Sequence, residues 1–469
     1  MTANMGDTRN IVIIGGGPGG YVAAIRAAQL GADVTLVERD KVGGTCLNVG
    51  CVPTKAMLHA GEMYRQMLHG AASYGILASG VRFDWAQVLG RKDAIVTRLV
   101  NGVTGLLRKN KVKVVAGEGR LGAGKTVVVS AGGKDAQTLP YDKLIIASGS
   151  VPAVPPIPGV KDNPDCIDST GALSLREVPG ELVVIGGGVI GIEFANAYAN
   201  FGCKVTVLEM MDKILPLMDE QLSAMLRASL EKEGVAIHTG AKVLGVEKQG
   251  GKNVVRAELS GKTESYPADK VLVAVGRRTD TAALGLDARG IRHDRGRILV
   301  NESMQTNDPD VYAIGDCLGQ VMLAHVASAM GEVAAEHAMG HHAAYDGRTN
   351  ASCVYTSPEF AGTGYTEAEL KAKGVEYRAG LFPLGGNAKT IIENGGQGTV
   401  KVLVGREFGE ILGVHILGPR ATDLIAEAAL MIGMEATVDE VVATIHAHPT
   451  VSEAVREAVL AADGRAIHK

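Results

Sequence analysis

The sequence predicts an α/β protein with two similar parallel-sheet domains and a C-terminal α+β domain. Three observations predict this. A strand–turn–helix–strand pattern appears at Ile11–Asp40 and again at Leu182–Met211, and the two copies align without gaps. Each copy is followed by a buried-strand run ending in a small residue and glycine, at Leu144–Ser150 and Val271–Arg277. From about Ala351 the pattern changes to strands at Gly398–Val404 and Ile411–Leu417, then amphipathic helices near Thr422–Met434, Val438–Ile445 and Ser452–Ala461.

The first copy reads IVIIGGGPGGYVAAIRAAQLGADVTLVERD, with Gly15, Gly17 and Gly20 in the turn. The second reads LVVIGGGVIGIEFANAYANFGCKVTVLEMM, with Gly186, Gly188 and Gly191. The first glycine permits the tight turn, the second admits a pyrophosphate, and the third lets the helix pack close to the strand. The helix N-terminus then supplies partial positive charge. Glu38 and Glu209 end the second strands, where a carboxylate binds ribose hydroxyls. Both units therefore read as Rossmann-like, and two copies imply two dinucleotides.

The runs at Leu144–Ser150 and Val271–Arg277 read as the last strands of the two dinucleotide domains, with Ser148, Gly149 and Gly276 beside the cofactors. The segment Asn307–Asp316 reads as an apolar strand ending in Gly-Asp. Asp316 is either a solvated turn residue or a carboxylate bonded to a ribityl hydroxyl, and its place between strand and helix favours the second. The resulting organisation is 1–149 for the first dinucleotide domain, interrupted by a helix around Asp84–Asn110 and strands near Val112–Val129. Residues 150–277 form the second domain, 278–350 return to complete the first, and 351–469 form the last domain. The proline-rich Val151–Gly159 marks a boundary.

Composition narrows the function. Glycine supplies 62 of 469 residues, about twice the usual ~7%, without a collagen-like period. Aromatics make up 4% and the net charge is -4, so neither a stacking platform nor a basic field exists for nucleic acid. No run of apolar residues is long enough for a membrane span, and the first ten residues contain no apolar signal core. A cytoplasmic, reducing location is expected, with no nucleic acid, membrane or metal partner.

Of six cysteines, only Cys46 and Cys51 are close in sequence, within GGTCLNVGCVPTK at Gly43–Lys55. This C-x4-C spacing admits a zinc site, two inert buried thiols or a reversible disulfide. Structural zinc needs about four ligands and no second cysteine pair exists. A pair that begins a helix beside a dinucleotide favours the reversible disulfide, because a helix N-terminus lowers thiol pKa. Lys55 adds positive charge. Near the other end, His446–Glu453 reads HAHPTVSE. Either Ser452 and Glu453 cap a helix beside surface histidines, or a histidine base is oriented by the glutamate. A partner thiol that must lose a proton favours the base.

Together, GGTCLNVGCVPTK, GGGVIGIE, NDPDVYAIGD and HAHPTVSE resemble the pyridine nucleotide–disulfide oxidoreductases, in the family's order and over essentially the whole chain. The resemblance implies FAD in the first domain, NAD in the second and a homodimer built by the C-terminal interface domain. It implies that Cys46 is the interchange thiol, that Cys51 faces the flavin, and that Lys55 and Glu193 pair near the flavin–nicotinamide contact. Gly44, Thr45, Gly119, Ser148, Gly149, Asp316, Met322, Leu323, Ala324 and His325 would help hold FAD, and Gly276 would border NAD. His448 would be the base and Glu453 its partner, reaching the disulfide of the other subunit. Glu209, followed by Met210, Met211 and Asp212, would repel the extra phosphate of NADP. NAD therefore favours oxidation of dihydrolipoamide, with lipoyl-bearing acyltransferase subunits of 2-oxoacid dehydrogenase complexes as partners. The alternatives are a glutathione reductase-like activity, or a flavoprotein with a binding or assembly role.

Overall fold

The computed structural model describes residues 8–468. The chain divides into two compact units. The first holds residues 8–56, Ala86–Ala153 and Arg277–Asp346; the second holds Met57–Trp85, Val154–Gly276 and 347–468.

The first unit is built on a five-stranded parallel sheet. Asn10–Ile14 lies at its centre, with Asp33–Glu38 and then Lys113–Ala116 on one side. Lys143–Ile146 and then Val311–Ala313 lie on the other. Strands covered on both faces must be apolar throughout, and Ile11, Val12, Ile13, Leu144, Ile145 and Ile146 are fully buried. The expected last strand at Leu144–Ser150 is thus interior. It ends at Ile146, and the returning Val311–Ala313 takes the edge. The helix expected around Asp84–Asn110 runs Trp85–Lys109. A three-stranded antiparallel sheet follows, of Glu118–Leu121, Thr126–Ala131 and Lys134–Pro140.

Two helices of this unit, Pro18–Gln29 and Ala324–Ala338, pack closely because both are rich in small residues. A Cβ on Gly331 would fall 2.5 Å from the Gly19 carbonyl oxygen. Arg26 closes the pair, donating to Glu336 from Nε (2.9 Å) and Nη2 (2.6 Å).

The second unit repeats the plan. Glu181–Ile185 is flanked by parallel Lys204–Glu209 and Lys270–Val273, with Ala236–Thr239 and Cys166–Ile167 at the edges. Here too the expected last strand is interior. An antiparallel sheet of Lys242–Gln249, Lys252–Leu259 and Lys262–Ala268 covers it. The C-terminal part is a five-stranded antiparallel sheet in the order Ala351–Val354, Glu359–Gly364, Ile411–Gly418, Thr399–Gly405, Tyr377–Pro383. The strands expected at Gly398–Val404 and Ile411–Leu417 pair antiparallel within it as a central hairpin. The helices Ala421–Gly433, Val438–Ala443 and Glu453–Ala462 begin and end within two residues of their expected bounds, the usual uncertainty of helix ends. Among the described residues, no helix is long and apolar enough to cross a membrane.

One buried ion cluster ties the central hairpin to two helices. The Lys401 ammonium, 1% exposed, donates to Asp219 (2.8 Å) and Glu367 (2.7 Å). Asp219 also caps the Glu220–Lys232 helix, accepting from Leu222 N–H. Burial works against the Lys401 charge, but the two carboxylates outweigh it and raise its pKa. Directly across the strand pair stands His415, also buried. Burial lowers the His415 pKa, with the positive Lys401 adding to the effect against the pull of Asp219.

Two outcomes follow. K401M strands the buried Asp219 carboxylate and removes the cation beside the part-exposed Glu367, lowering unfolding free energy by about 3–5 kcal/mol, read from urea denaturation. His415 binds its proton more weakly when folded than at the unfolded value of about 6.5, so protonation favours unfolding. Its contribution is intact above that value and is lost as pH falls. The melting temperature of H415Q therefore drops less than that of wild type between neutral and mildly acidic pH.

Candidate functional site

Both glycine turns have the same construction. Gly15 and Gly186 adopt the left-handed φ values of +103° and +112°. A Cβ on Gly15 would meet the Ala147 carbonyl oxygen at 2.2 Å, and one on Gly186 would meet that of Ala274 at 2.4 Å. The third glycines are tighter still: a Cβ on Gly20 would lie 1.8 Å from Gly15 O, and one on Gly191 2.0 Å from Gly186 O. The middle glycines differ. A Cβ on Gly188 meets nothing within 4 Å, and one on Gly17 meets only Gly44 Cα at 4.0 Å. Protein packing therefore accounts for the first and third glycines, and open space lies in front of the second.

The strand-end carboxylates reach back into these turns. Glu38 accepts hydrogen bonds from the N–H groups of Gly16 (2.6 Å) and Asp40 (2.8 Å). Glu209 accepts from Gly187 N–H and Met211 N–H (2.7 Å). Each carboxylate fixes the turn, and its oxygens keep further acceptor sites for hydroxyl donors.

Cys46 and Cys51 form a disulfide with Cα atoms 4.7 Å apart, within the normal span of such bonds. The pair does not begin one helix. Gly50 breaks the chain between a short helix, Gly44–Val49, which carries Cys46, and Cys51–Arg65, which Cys51 opens. The Gly43 N–H donates to Gly16 O (2.8 Å), and a Cβ on Gly44 would lie 2.7 Å from Gly17 Cα. Backbone contact thus holds the disulfide segment against the first turn. Thr45 is exposed between them. Three of the free thiols are poor nucleophiles: burial pushes Cys166 up to about 11 and Cys203 and Cys317 up to about 12.

The remaining first-unit candidates lie on the same sheet or its neighbours. The Ser148 hydroxyl is buried with no hydrogen-bond partner. Gly149 has φ +77° with open space around it, and in the second unit Gly276 has φ +110° with the same openness. Gly119 packs on Ile14, to which a Cβ would approach within 3.1 Å. Asp316 sits in the turn Gly315–Leu318 and accepts from the Ser150 hydroxyl. Met322 and Leu323 lead into the Ala324–Ala338 helix, whose first turn holds Ala324 and His325.

In the second unit, Glu193 is 3% exposed and accepts from Tyr355 N–H (3.0 Å). Lys55 belongs to the first unit. His448 Nδ1 lies 3.0 Å from Glu453 Oε1, while Glu453 Oε2 accepts from Thr450 N–H (2.8 Å). Burial raises the Glu453 pKa, but the Thr450 N–H and His448 outweigh it and hold the carboxyl below its usual range. The carboxylate occupies Nδ1, and the His448 side chain is 72% exposed.

Sequence reading missed several partners. His446 Nε2 lies 2.7 Å from Glu427 Oε1, and its imidazole is 5% exposed. Tyr355 on Glu193 and Ser150 with Arg277 around Asp316 were also missed. No local spacing signals any of them.

The comparisons give this geometry its context. Residues 9–331 match the family described as "Pyridine nucleotide-disulphide oxidoreductase", and residues 350–459 match its dimerisation domain. The chain belongs to the pyridine nucleotide-disulphide oxidoreductase family. It is 43% identical to a dihydrolipoyl dehydrogenase of Bacillus subtilis over 98% of this chain and 99% of that one. It is 42% identical to a mitochondrial dihydrolipoyl dehydrogenase of Pisum sativum, covering 99% and 94%. A leghemoglobin reductase of Glycine max is also 42% identical, covering 98% and 88%. Among solved structures, LpdA of Mycobacterium tuberculosis gives a TM-score of 0.89 at 29% identity, covering 96% and 99%.

Pyridine nucleotide-disulphide oxidoreductases of this kind use FAD and NAD. The chain's own residues fit both: an orphaned buried hydroxyl at Ser148, open middle glycines and two glutamates already turned toward the glycine loops.

The glycines give a discriminating test. G188A keeps the fold, with melting within a few degrees of wild type, but weakens NADH binding about 10- to 100-fold in calorimetric titration. G191A forces a Cβ into backbone and lowers stability by about 1–3 kcal/mol or more.

Proposed function

We propose that the chain oxidises protein-bound dihydrolipoamide to lipoamide with NAD+, the activity named for relatives over 40% identical along nearly the whole chain. The observation that carries this reading is the Cys46–Cys51 disulfide pressed by backbone contacts against the first glycine turn. In the reading, 1–149 with 278–350 holds FAD, 150–277 holds NAD and 351–469 forms the interface of a homodimer. The match to a dimerisation domain supports the last point. A cytoplasmic location suits thiols such as Cys203 and Cys317, which form no disulfide.

His448 of one subunit takes a proton from a substrate thiol bound at the disulfide of the other, with Glu453 keeping Nδ1–H occupied so that Nε2 accepts. The substrate thiolate attacks Cys46 Sγ, a mixed disulfide forms, and Cys51 departs as a thiolate. The second substrate thiol then attacks the substrate sulfur of that mixed disulfide. Cys46 departs, and the lipoamide ring closes. Cys51 opens the Cys51–Arg65 helix, and the partial positive charge of that end stabilises its thiolate. A bound flavin supplies the two-electron relay from this dithiol to NAD+. Lys55 and Glu193 are assigned to the flavin–nicotinamide contact. Glu209 selects NAD, since its carboxylate repels a 2′-phosphate. Lipoyl-bearing acyltransferase subunits present the substrate.

Steady-state reduction of NAD+ by dihydrolipoamide tests this. Wild type turns over. C46S and C51S do not, and H448Q loses about 10²- to 10⁴-fold in kcat/KM. Glutathione and NADP+ replace neither reactant. Turnover by C46S, or preference for glutathione with NADP+, overturns the reading.

A further inference from the structure

Asp316 is held by a relay that begins on the strand by which the chain returns to the first unit. The chain leaves this unit through Ser150–Pro152 and re-enters at Arg277–Thr279, and these two short strands pair antiparallel. Arg277 grips Ser150 twice: Nε donates to the hydroxyl and Nη2 to the carbonyl oxygen, both at 2.7 Å. The Ser150 hydroxyl donates in turn to Asp316 Oδ2. Ser150 is 6% exposed, and the Arg277 side chain is 15% exposed. Arg277 Nε itself stands 4.0 Å from Asp316 Oδ2, beyond hydrogen-bond reach.

The direction of this relay is set by proton inventory. A guanidinium can only donate, an ionised carboxylate can only accept, and a hydroxyl has one proton. With Arg277 donating into it, Ser150 has its own proton for Asp316. One carboxylate oxygen is thereby pinned, which fixes the direction of the other. Fixed direction matters for a group that must meet a hydroxyl of a bound molecule.

We infer that Ser150 and Arg277 are positioning residues that aim the Asp316 carboxylate at FAD. This rests on the reading that Asp316 faces a hydroxyl of that cofactor. The latch makes cofactor affinity depend on the pairing of Ser150–Pro152 with Arg277–Thr279.

The test is FAD affinity of the full chain, from flavin fluorescence and ultrafiltration, for wild type, S150A, R277K, D316N and S150A/D316N. S150A and R277K each weaken FAD binding about tenfold, and D316N weakens it at least as much. The double variant matches D316N within about twofold, because Ser150 acts through Asp316. The visible circular dichroism of the residual bound flavin changes alike in S150A and D316N. Far-UV spectra of FAD-stripped protein separate a folding defect from a lost latch, and R277K, which truncates nothing to a cavity, carries the test should S150A not fold. S150A holding FAD as wild type does, or adding its full loss to that of D316N, overturns the inference. Wild type that binds no FAD at all overturns both the latch and the functional reading beneath it.

Discussion

The contact between Gly44 and Gly17 decides where the chemistry can occur. Gly43 and Gly44 both adopt left-handed φ, at +94° and +53°, so the chain lies flat against the first dinucleotide turn. A side chain at Gly44 would push Gly17 away, and with it the segment that carries Cys46. Two sulfurs with redox chemistry are therefore brought beside a dinucleotide loop by main-chain geometry. The disulfide then closes the short loop across Gly50 and joins two helices that the backbone alone leaves separate. Burial disfavours Cys166, Cys203 and Cys317 as thiolates, so these three do not compete with the pair.

The duplicated turn shows one architecture put to two uses. In both copies the strand-end glutamate accepts from the amide of the residue after the first glycine, Gly16 or Gly187. That bond stiffens the loop and orients the carboxylate before any ribose arrives. Only the first copy receives the disulfide segment. The second copy instead buries Glu193 on its helix, secured by the amide of Tyr355. The two copies are thus equivalent as cradles and different in what the rest of the chain lays beside them.

Local signals made much of this legible. The paired βαβ runs, the C-x4-C segment and the HAHPTVSE motif each lie within about thirty residues, so spacing alone exposes them. The expected homology to disulfide oxidoreductases was borne out by the family match. What escaped was set by long-range packing. The edge position of Val311–Ala313 depends on a segment that returns after a whole intervening domain. Lys401 finds Asp219 across the sequence, and no periodicity announces a charged residue in a buried strand. His446 belongs to a motif read locally, yet Glu427 on a preceding helix holds it. The break at Gly50 was hidden because a helix-like pattern continues on either side of it.

In the proposed reaction electrons enter through the Cys46–Cys51 bond, and thiol trapping reads that step. The protein is mixed anaerobically with one equivalent of dihydrolipoamide per chain, quenched with an alkylating agent and mapped by mass spectrometry. Two new alkylated thiols are expected, at Cys46 and Cys51, appearing together with lipoamide and absent without the reductant. Both cysteines remaining joined while lipoamide forms, or label appearing at other cysteines in their place, would contradict it.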